Sequence, residues 1–481
     1  MRNIKKSIFL NSMVCPSLGW LMRRDLATKT PTIGEQFFMD QGMDIERRAR
    51  ELYPDGILID ERDVSSALQK SKEFIADKGT PAIFSALFRV GNYTTRSDIL
   101  IRKDDESWKM IEVKSSINDK PEFVEDMAYT TMVMRHYGLD VSSISLLLIS
   151  KDYRLGMRND DLFKEIDHTK NVLKKVEEYM LNWDRVDKIT GQEEKPKSEL
   201  MFECRKCPLF KDCLGNRIEN HIFDIPRLSN SKFKQLNEQG IVSIEDIPPD
   251  FKLTSKQDII KKSVQSKNPY LGDGLDKELE SITWPTFYLD FETLNTAIPL
   301  YPGIAPYTQI PTQYSIHLCS EPGIIIDQSQ YLADHRKDCR RELAENLIRQ
   351  LDGEGSIVVY SHFEKRIVNY LLNEFPDLSS GLNSIIERLV NLQAIIDKNY
   401  YHPEFHGSIS IKNVAPALIP EISYEDLVIK DGTSAMAVFA YMAQNKYDEA
   451  KINKIREDLN KYCIQDSYSL VKLHQNLCEC L

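Results

Sequence analysis

The sequence predicts an α/β protein built from several folding units, and three observations carry that expectation. Strand-like runs (YTTRSDILIRKDDESWKMIEVKSS, ISLLLI at 144–149, TFYLDF and IVVY) alternate with long amphipathic helical patterns. A length of 481 residues corresponds to about three units of ~150 residues each. Hydrophobic residues at 42% and charged residues at 28% can bury a full core, and no apolar run of about 18 residues reads as a membrane span. Composition shifts place the units near 1–215, 216–283 and 284–481.

The net charge is −11, with 62 basic against 73 acidic residues. This excludes a generally basic nucleic-acid coat and leaves room for a positive cleft confined to one face. Any nucleic-acid binding is then expected to be local and strongly salt-sensitive. The start MRNIKKSIFLNSMVCPSLGWLMRR is interrupted by Asn11, Ser12, Pro16 and Ser17, and no small-x-small cleavage site follows. A cytoplasmic mature start is expected.

In the first unit, two strand-like runs flank the polar turn KDDES and read as a hairpin. Folded about Asp105, opposite residues sum to 210, so Asp98 faces Glu112 and Arg96 faces Lys114. Strand alternation then puts Asp98, Glu112 and Lys114 on one face and Ile99, Ile111 and Val113 on the other. Two neighbouring carboxylates repel unless a cation lies between them, which points to a divalent metal; an exposed, salt-bridged hairpin is the alternative. Glu46, in GMDIERRARELYPDG, is a further candidate ligand or a surface ion-pair partner.

The Asp…Glu-x-Lys order resembles the PD-(D/E)XK nuclease superfamily. The resemblance implies a restriction-endonuclease-like fold, with Asp98, Glu112 and Glu46 as metal ligands and Lys114 as the catalytic lysine. RecB-type relatives carry a Gln on the following helix, where this chain reads EDMAYTTM and offers Thr130 or Thr131.

Cys204-x2-Cys207-x5-Cys213 is a tight trio, with Cys15 far upstream in MVCPSLGWL. In a cytosolic protein such spacing suggests metal rather than disulfide. The layout resembles RecB-type nucleases with an iron–sulfur staple. By that resemblance Cys15, Cys204, Cys207 and Cys213 would hold a 4Fe–4S cluster, and zinc held by four cysteines is the alternative. Cys319, Cys339, Cys463, Cys478 and Cys480 lack such spacing and read as core or surface residues.

Residues 216–283 read as a helical connector, with IPRLSNSKFKQLNEQGIVSIEDIP as a helical hairpin turning at Gly240. Beyond it, TFYLDFET places Asp290 and Glu292 on one strand face, and Phe287, Leu289 and Phe291 on the other. IVVYSHFEKRIVNYLL is a strand entering a helix, with Glu364 in its first turns. Tyr462 and Asp466 are neighbours at i and i+4 on a later helix. Four carboxylates and a tyrosine from three elements could converge on two metals.

That order resembles the tyrosine subgroup of the DEDD exonucleases, which have an RNase H-like fold. The resemblance makes Asp290, Glu292, Glu364 and Asp466 metal ligands, and Tyr462 the group that orients the attacking water. Many relatives carry Asp at the position of Glu364, and YprB-type relatives carry an Asp where this chain has Asn391.

Across nearly its whole length the chain resembles a bacterial family catalogued only as a domain of unknown function. That family joins an iron–sulfur RecB-like domain to a YprB-like domain. WPTFYLDFETLNTAIPLY, QIPTQYSIH, YYHPEFHGSISIKNVAPALIP and YEDLVIKDG carry the resemblance. It implies a nuclease using Mg²⁺ or Mn²⁺ on nucleic acid, with DNA strands or ends as substrate, a structural cluster, no membrane partner, and work in repair or defence. The competing expectations are a decayed nucleic-acid-binding scaffold and a 3′-5′ exonuclease active only in its C-terminal domain. Lys365, Arg366, His402 and His406 read as possible substrate contacts or as ordinary surface positions.

Overall fold

The computed structural model describes residues 1–27, 30–216 and 218–481. The chain forms two compact units: residues 1–199 with 296–308, and residues 200–295 with 309–481. Among the described residues no helix is long and apolar enough to cross a membrane.

Unit 1 is built on a six-stranded mixed sheet of β1 (Ile57–Leu58), β2 (Ala82–Val90), β3 (Tyr93–Arg102), β4 (Trp108–Val113), β5 (Val141–Ile149) and β6 (Phe163–Asp167), in that order. The β3–β4 hairpin has the expected register, Ile99 opposite Ile111 and Arg102 opposite Trp108. Its turn closes through Lys103 N–H on the Ser107 carbonyl at 2.8 Å, with Glu106 in the left-handed region and Asp105 accepting from Ser107 N–H at 3.0 Å. The alternation holds: Ile99, Ile111 and Val113 pack with Ile45 and Ala49 of the Ile33–Arg50 helix, while Leu100 and Met110 pack with Met127 of the Pro121–Tyr137 helix. Apolar side chains therefore cover both faces, and an exposed hairpin is excluded. Thr32 and Glu35 start the Ile33–Arg50 helix with reciprocal caps at 3.2 and 2.7 Å. Gly138 at φ +96° ends the Pro121–Tyr137 helix. Ala297, Ile298 and Tyr307, which follow the Thr286–Leu294 strand of the other unit in sequence, belong to this core.

Unit 2 contains β7 (Tyr270–Leu271), β8 (Thr286–Leu294), β9 (Ile310–Glu321), β10 (Ile324–Leu332), β11 (Ile357–Val359), β12 (Leu389–Asn391) and β13 (Tyr400–Tyr401). Five of them form a sheet ordered β10-β9-β8-β11-β12, antiparallel from β10 to β8 and parallel from β8 to β12; β7 and β13 pair separately. Phe287, Leu289 and Phe291 are buried against Leu343, Leu347 and Ile367, as the alternation predicts. The segment read as a connector is not set apart. Ile222, Phe233, Leu236, Ile260 and Leu279 share one core with Leu470 and Leu473 of the Glu449–Glu479 helix. Gly240, at φ +72°, follows the Asn230–Glu238 helix, but the next helix begins only at Ser255, after a short turn at Ile244–Asp246, so no tight helical hairpin forms there.

Candidate metal centre

On β8, Asp290 and Glu292 point to the same side, as their spacing requires, and Asp466 reaches them from the Glu449–Glu479 helix. One oxygen from each of these three carboxylates lies within 4.8 Å of the other two; among the described residues this is the group of three or more potential ligands gathered that closely. Tyr462 and Asp466 are 2% and 5% exposed, so the i, i+4 pair faces inward. Burial, then repulsion from Asp466 and Glu292, holds the Asp290 carboxyl well above the usual carboxylate range. Burial, then repulsion from Asp466, pushes Glu292 up to about 8. Burial also raises Asp466, although Tyr424 and Lys412 pull it back. A site in which burial raises three neighbouring acids, and Asp466 adds to two of them, is short of positive charge and could hold a divalent cation.

Glu364 stands apart. It is 3% exposed and burial raises it to about 7, but its Oε2 accepts from the Ser361 N–H at 3.2 Å. It thus bonds the backbone just before its own helix, and the four expected acids gather as three plus one. Asp290 still feels its charge. The extra methylene of Glu lets the side chain fold back in this way. Asn391 also has a structural task, since its side chain caps the Leu392–Asn399 helix through Ala394 N–H at 2.9 Å.

Three residues near the centre escape reasoning from acid spacing alone. Lys412 Nζ donates to Tyr462 Oη at 3.1 Å and to the Lys430 carbonyl at 2.7 Å. Tyr424 Oη donates to Asp466 Oδ1 at 2.5 Å. Cys463 is buried with Sγ 4.0 Å from Asp290 Oδ2, and burial with the neighbouring acids drives its thiol up. Lys412 and Tyr424 do lie inside SISIKNV and YEDLV, the phrases that carry the resemblance, although nothing in the spacing assigns them a role. Lysine has no acceptor, so Tyr462 accepts from Lys412 and keeps its own proton for a carboxylate or a water. His402 caps the Pro403–Phe405 turn through Glu404 N–H at 3.2 Å, a structural use.

The cluster in unit 1 is arranged differently. Asp98 Oδ2 accepts from the Val113 N–H at 2.8 Å, and Glu112 Oε1 accepts from Lys114 at 2.8 Å and from Lys6 at 3.3 Å. Lys114 also donates to Asp126 Oδ2 at 2.7 Å, and Lys6 lies 3.1 Å from it. Burial raises Asp98 well above its usual range, with Glu112 and then Glu46 adding to it. Burial also raises Glu46, with Glu112 contributing. For Glu112 burial is outweighed by Lys114 and Lys6, so its carboxyl sits below the usual range. Asp98, Glu112, Glu46 and Lys114 are thus electrostatic neighbours, as the sequence suggests, but the three acids are not gathered as closely as those of unit 2.

The residue that meets Lys114 from the following helix is Asp126, one turn before the expected position. Thr130 instead bonds the Thr95 hydroxyl at 3.1 Å, and Thr131 faces Met110 Sδ at 3.8 Å. Lys6 and Asp126 are the members that sequence reasoning missed.

Cys204, Cys207 and Cys213 are half-buried in unit 2, Cys15 is half-buried in unit 1, and none is in a disulfide. Cys15 Sγ accepts from Leu18 N–H at 3.4 Å. The trio follows consecutive turns, Cys207 N–H to the Cys204 carbonyl at 3.1 Å and Phe210 N–H to the Cys207 carbonyl at 3.1 Å. Zinc would draw its sulfurs to about 2.3 Å from one point, and the trio is not gathered around any such point.

Three comparisons bear on this chain. The sequence model of a family described as a domain of unknown function, DUF2779, matches residues 287–410, a span that includes Asp290, Glu292 and Glu364 but neither Tyr462 nor Asp466. The uncharacterized protein MG366 homolog of Mycoplasma pneumoniae is 24% identical over 208 residues, which cover 39% of this chain and 31% of that protein. The uncharacterized protein MG366 of Mycoplasma genitalium is 25% identical over 215 residues, with the same coverage of 39% and 31%. The chain thus spans about a third of the length of these curated relatives. Among solved structures, an alkaline exonuclease (LHK-Exo) from Laribacter hongkongensis is similar at a TM-score of 0.24 and 15% identity, over 39% of this chain and 90% of that one.

Proposed function

We propose that the protein is a metal-dependent phosphodiesterase acting on nucleic acid, with DNA strands or ends as its substrate, and that its principal centre is the Asp290–Glu292–Asp466 group. The observation that carries this reading is the convergence of three carboxylate oxygens within 4.8 Å beside a buried tyrosine. The strand order β10-β9-β8-β11-β12 supports an RNase H-like unit 2, and the Asp98–Glu112–Lys114 hairpin supports a restriction-endonuclease-like unit 1.

The three carboxylates are hard oxygen donors suited to Mg²⁺ or Mn²⁺, which when bound would supply Lewis acidity and a more acidic water. Lys412 fixes Tyr462 and gives the centre a permanent positive charge. Tyr424 holds Asp466 Oδ1, which leaves the other carboxylate oxygen to turn toward Asp290 and Glu292. Tyr462, with its oxygen held by Lys412, has its proton available to align a water.

A narrower reading, in which unit 2 alone hydrolyses, is favoured by one observation: the Glu112 carboxylate already has two lysine partners. Cys204, Cys207 and Cys213 complete the proposal as ligands of a structural 4Fe–4S cluster. Protein purified without oxygen should show iron and broad visible absorbance, and both should fall when Cys204 or Cys213 is replaced by Ser.

The direct test is cleavage of end-labelled single- and double-stranded DNA and RNA with Mn²⁺, comparing wild type with Asp290→Ala and Lys114→Ala. A product ladder lost in Asp290→Ala supports the reading. No cleavage of any substrate by cluster-loaded protein would replace it with the scaffold reading.

A further inference from the structure

Beside the Glu112–Lys114 cluster, unit 1 contains a cavity of about 320 Å³ that the catalytic reading does not use. Its walls include Asn3, Lys5, Lys6, Thr95, Arg96 and Thr130, and among the described residues its lining carries no carboxylate. In a chain of net charge −11, three cations around one cavity without an acid depart from the average surface.

The cations are held in place by backbone. Ile4 bridges to Tyr93, with its N–H on the Asn92 carbonyl at 2.7 Å and Thr94 N–H on its own carbonyl at 2.9 Å, so Lys5 and Lys6 follow the course of β3. Arg96 Nη1 donates to the Ser85 carbonyl at 3.0 Å and to the Ile59 carbonyl at 3.3 Å, which anchors one side of an exposed guanidinium. Glu61, whose carboxyl feels the charge of Arg96, is paired with Lys70. The Lys6–Val14 helix starts at this cavity with Lys5 as N-cap and no side-chain cap, so the positive end of the helix adds to the field. Thr95 and Thr130 contribute a buried hydroxyl pair, 3.1 Å apart. Lys6 joins the cavity to the acid cluster, being 3.3 Å from Glu112 and 3.1 Å from Asp126.

We infer that this cavity binds a phosphate group of a nucleic-acid strand and holds it next to the Asp98–Glu112–Lys114 cluster. Clustered ammonium and guanidinium donors, hydroxyls and helix amides together match the oxygens of a phosphate better than those of a single carboxylate. Lys6 is partly neutralised by its acids, so Lys5 and Arg96 supply most of the net charge. The inference rests on the proposed function only for the identity of the larger molecule.

The test reads binding alone. A fluorescein-labelled single-stranded oligonucleotide is titrated with full-length protein in chelator across a salt series, using wild type, Lys5→Glu, Lys5→Arg and Arg96→Gln. Lys5 is exposed, so its variants should melt like the wild type. Lys5→Glu should weaken binding about tenfold and lower the slope of log Kd against log salt by about one, Arg96→Gln should do so to a lesser degree, and Lys5→Arg should restore both. Equal affinity and slope in all four proteins overturns the inference. Stabilisation of wild type but not Lys5→Glu by inorganic phosphate, without any change in oligonucleotide binding, overturns the strand as occupant. A protein that binds as expected but never cleaves keeps this inference and loses the proposed activity, whereas cleavage with unchanged slopes does the reverse.

Discussion

In unit 1, Glu112 and Asp126 share the ammonium groups of Lys114 and Lys6, whereas in unit 2 Asp290, Glu292 and Asp466 face one lysine, Lys412, which touches the tyrosine rather than an acid. Glu112 consequently sits below its usual range while Glu292 is pushed to about 8. Two clusters of similar composition therefore differ in what they lack. One is neutralised from within, and the other is an acid group that could hold a cation. Counting acids in the sequence makes the clusters look alike, while counting the lysines that reach them separates them.

The sharpest way to break this comparison is Asp290→Ala set against Lys114→Ala in the Mn²⁺ cleavage assay. Asp290→Ala should lower the rate at least about a thousandfold and Lys114→Ala less than about tenfold. The opposite order would make the lysine-neutralised cluster the working one. Tyr462→Phe should cost about a hundredfold, read as a fall in kcat with KM nearly unchanged, since the phenol proton aligns water rather than substrate.

Next in size is an acid-stability difference between the units. His221, His317 and His474 are buried in unit 2, and burial lowers each to about 4. His474 Nδ1 lies 2.7 Å from the Tyr288 hydroxyl, a partner for the neutral ring. The unfolded chain takes up these protons near pH 6.5 and the folded unit only near pH 4, so stability is full above 6.5 and declines as pH falls toward 4. Each histidine contributes on the order of 2–3 kcal/mol to that loss. The raised carboxyls of Glu292 and Glu364 oppose this in the same unit, so the histidine contribution is isolated by mutation: His317→Gln should make the urea midpoint fall less than that of wild type between pH 7 and pH 4.

The smallest effect has opposite signs in the two clusters. In chelator at pH 7.5, Asp290→Asn relieves repulsion and should raise unfolding free energy by about 1–2 kcal/mol. Glu112→Gln gives up two ion pairs and should lower it by a similar amount. Urea midpoints measure both, and equal signs would dissolve the contrast.

What the sequence disclosed follows the range of each interaction. The 210 register needs only strand alternation and a short polar turn, and Ile99 opposite Ile111 obeys it. The Asp290/Glu292 and Tyr462/Asp466 pairs follow from periods of two and four residues. Asp126 was out of reach because the phase of its helix is set by packing Phe123 and Met127 into the core, which spacing does not encode. Lys412 and Tyr424 reach Tyr462 and Asp466 across about 40 to 50 residues, and no short pattern links positions so far apart. Glu364 lies in the first turn of its helix, as the pattern requires, but its bond to the Ser361 N–H is a rotamer outcome that spacing does not encode.

The path of residues 296–308 has a consequence for the order in which the molecule is made. Gln41 Oε1 accepts from the Ala297 N–H at 2.5 Å, and Tyr307 Oη reaches the Ser115 carbonyl at 2.6 Å, so unit 1 closes its core with residues that leave the ribosome about a hundred positions after its last contiguous one. At about 5–20 residues per second, the nascent unit waits several seconds with Ile45, Ile99 and Ile111 incompletely covered. A gene fragment ending near residue 199 encodes the sheet without these last pieces of its core, and should yield protein that needs a chaperone or aggregates.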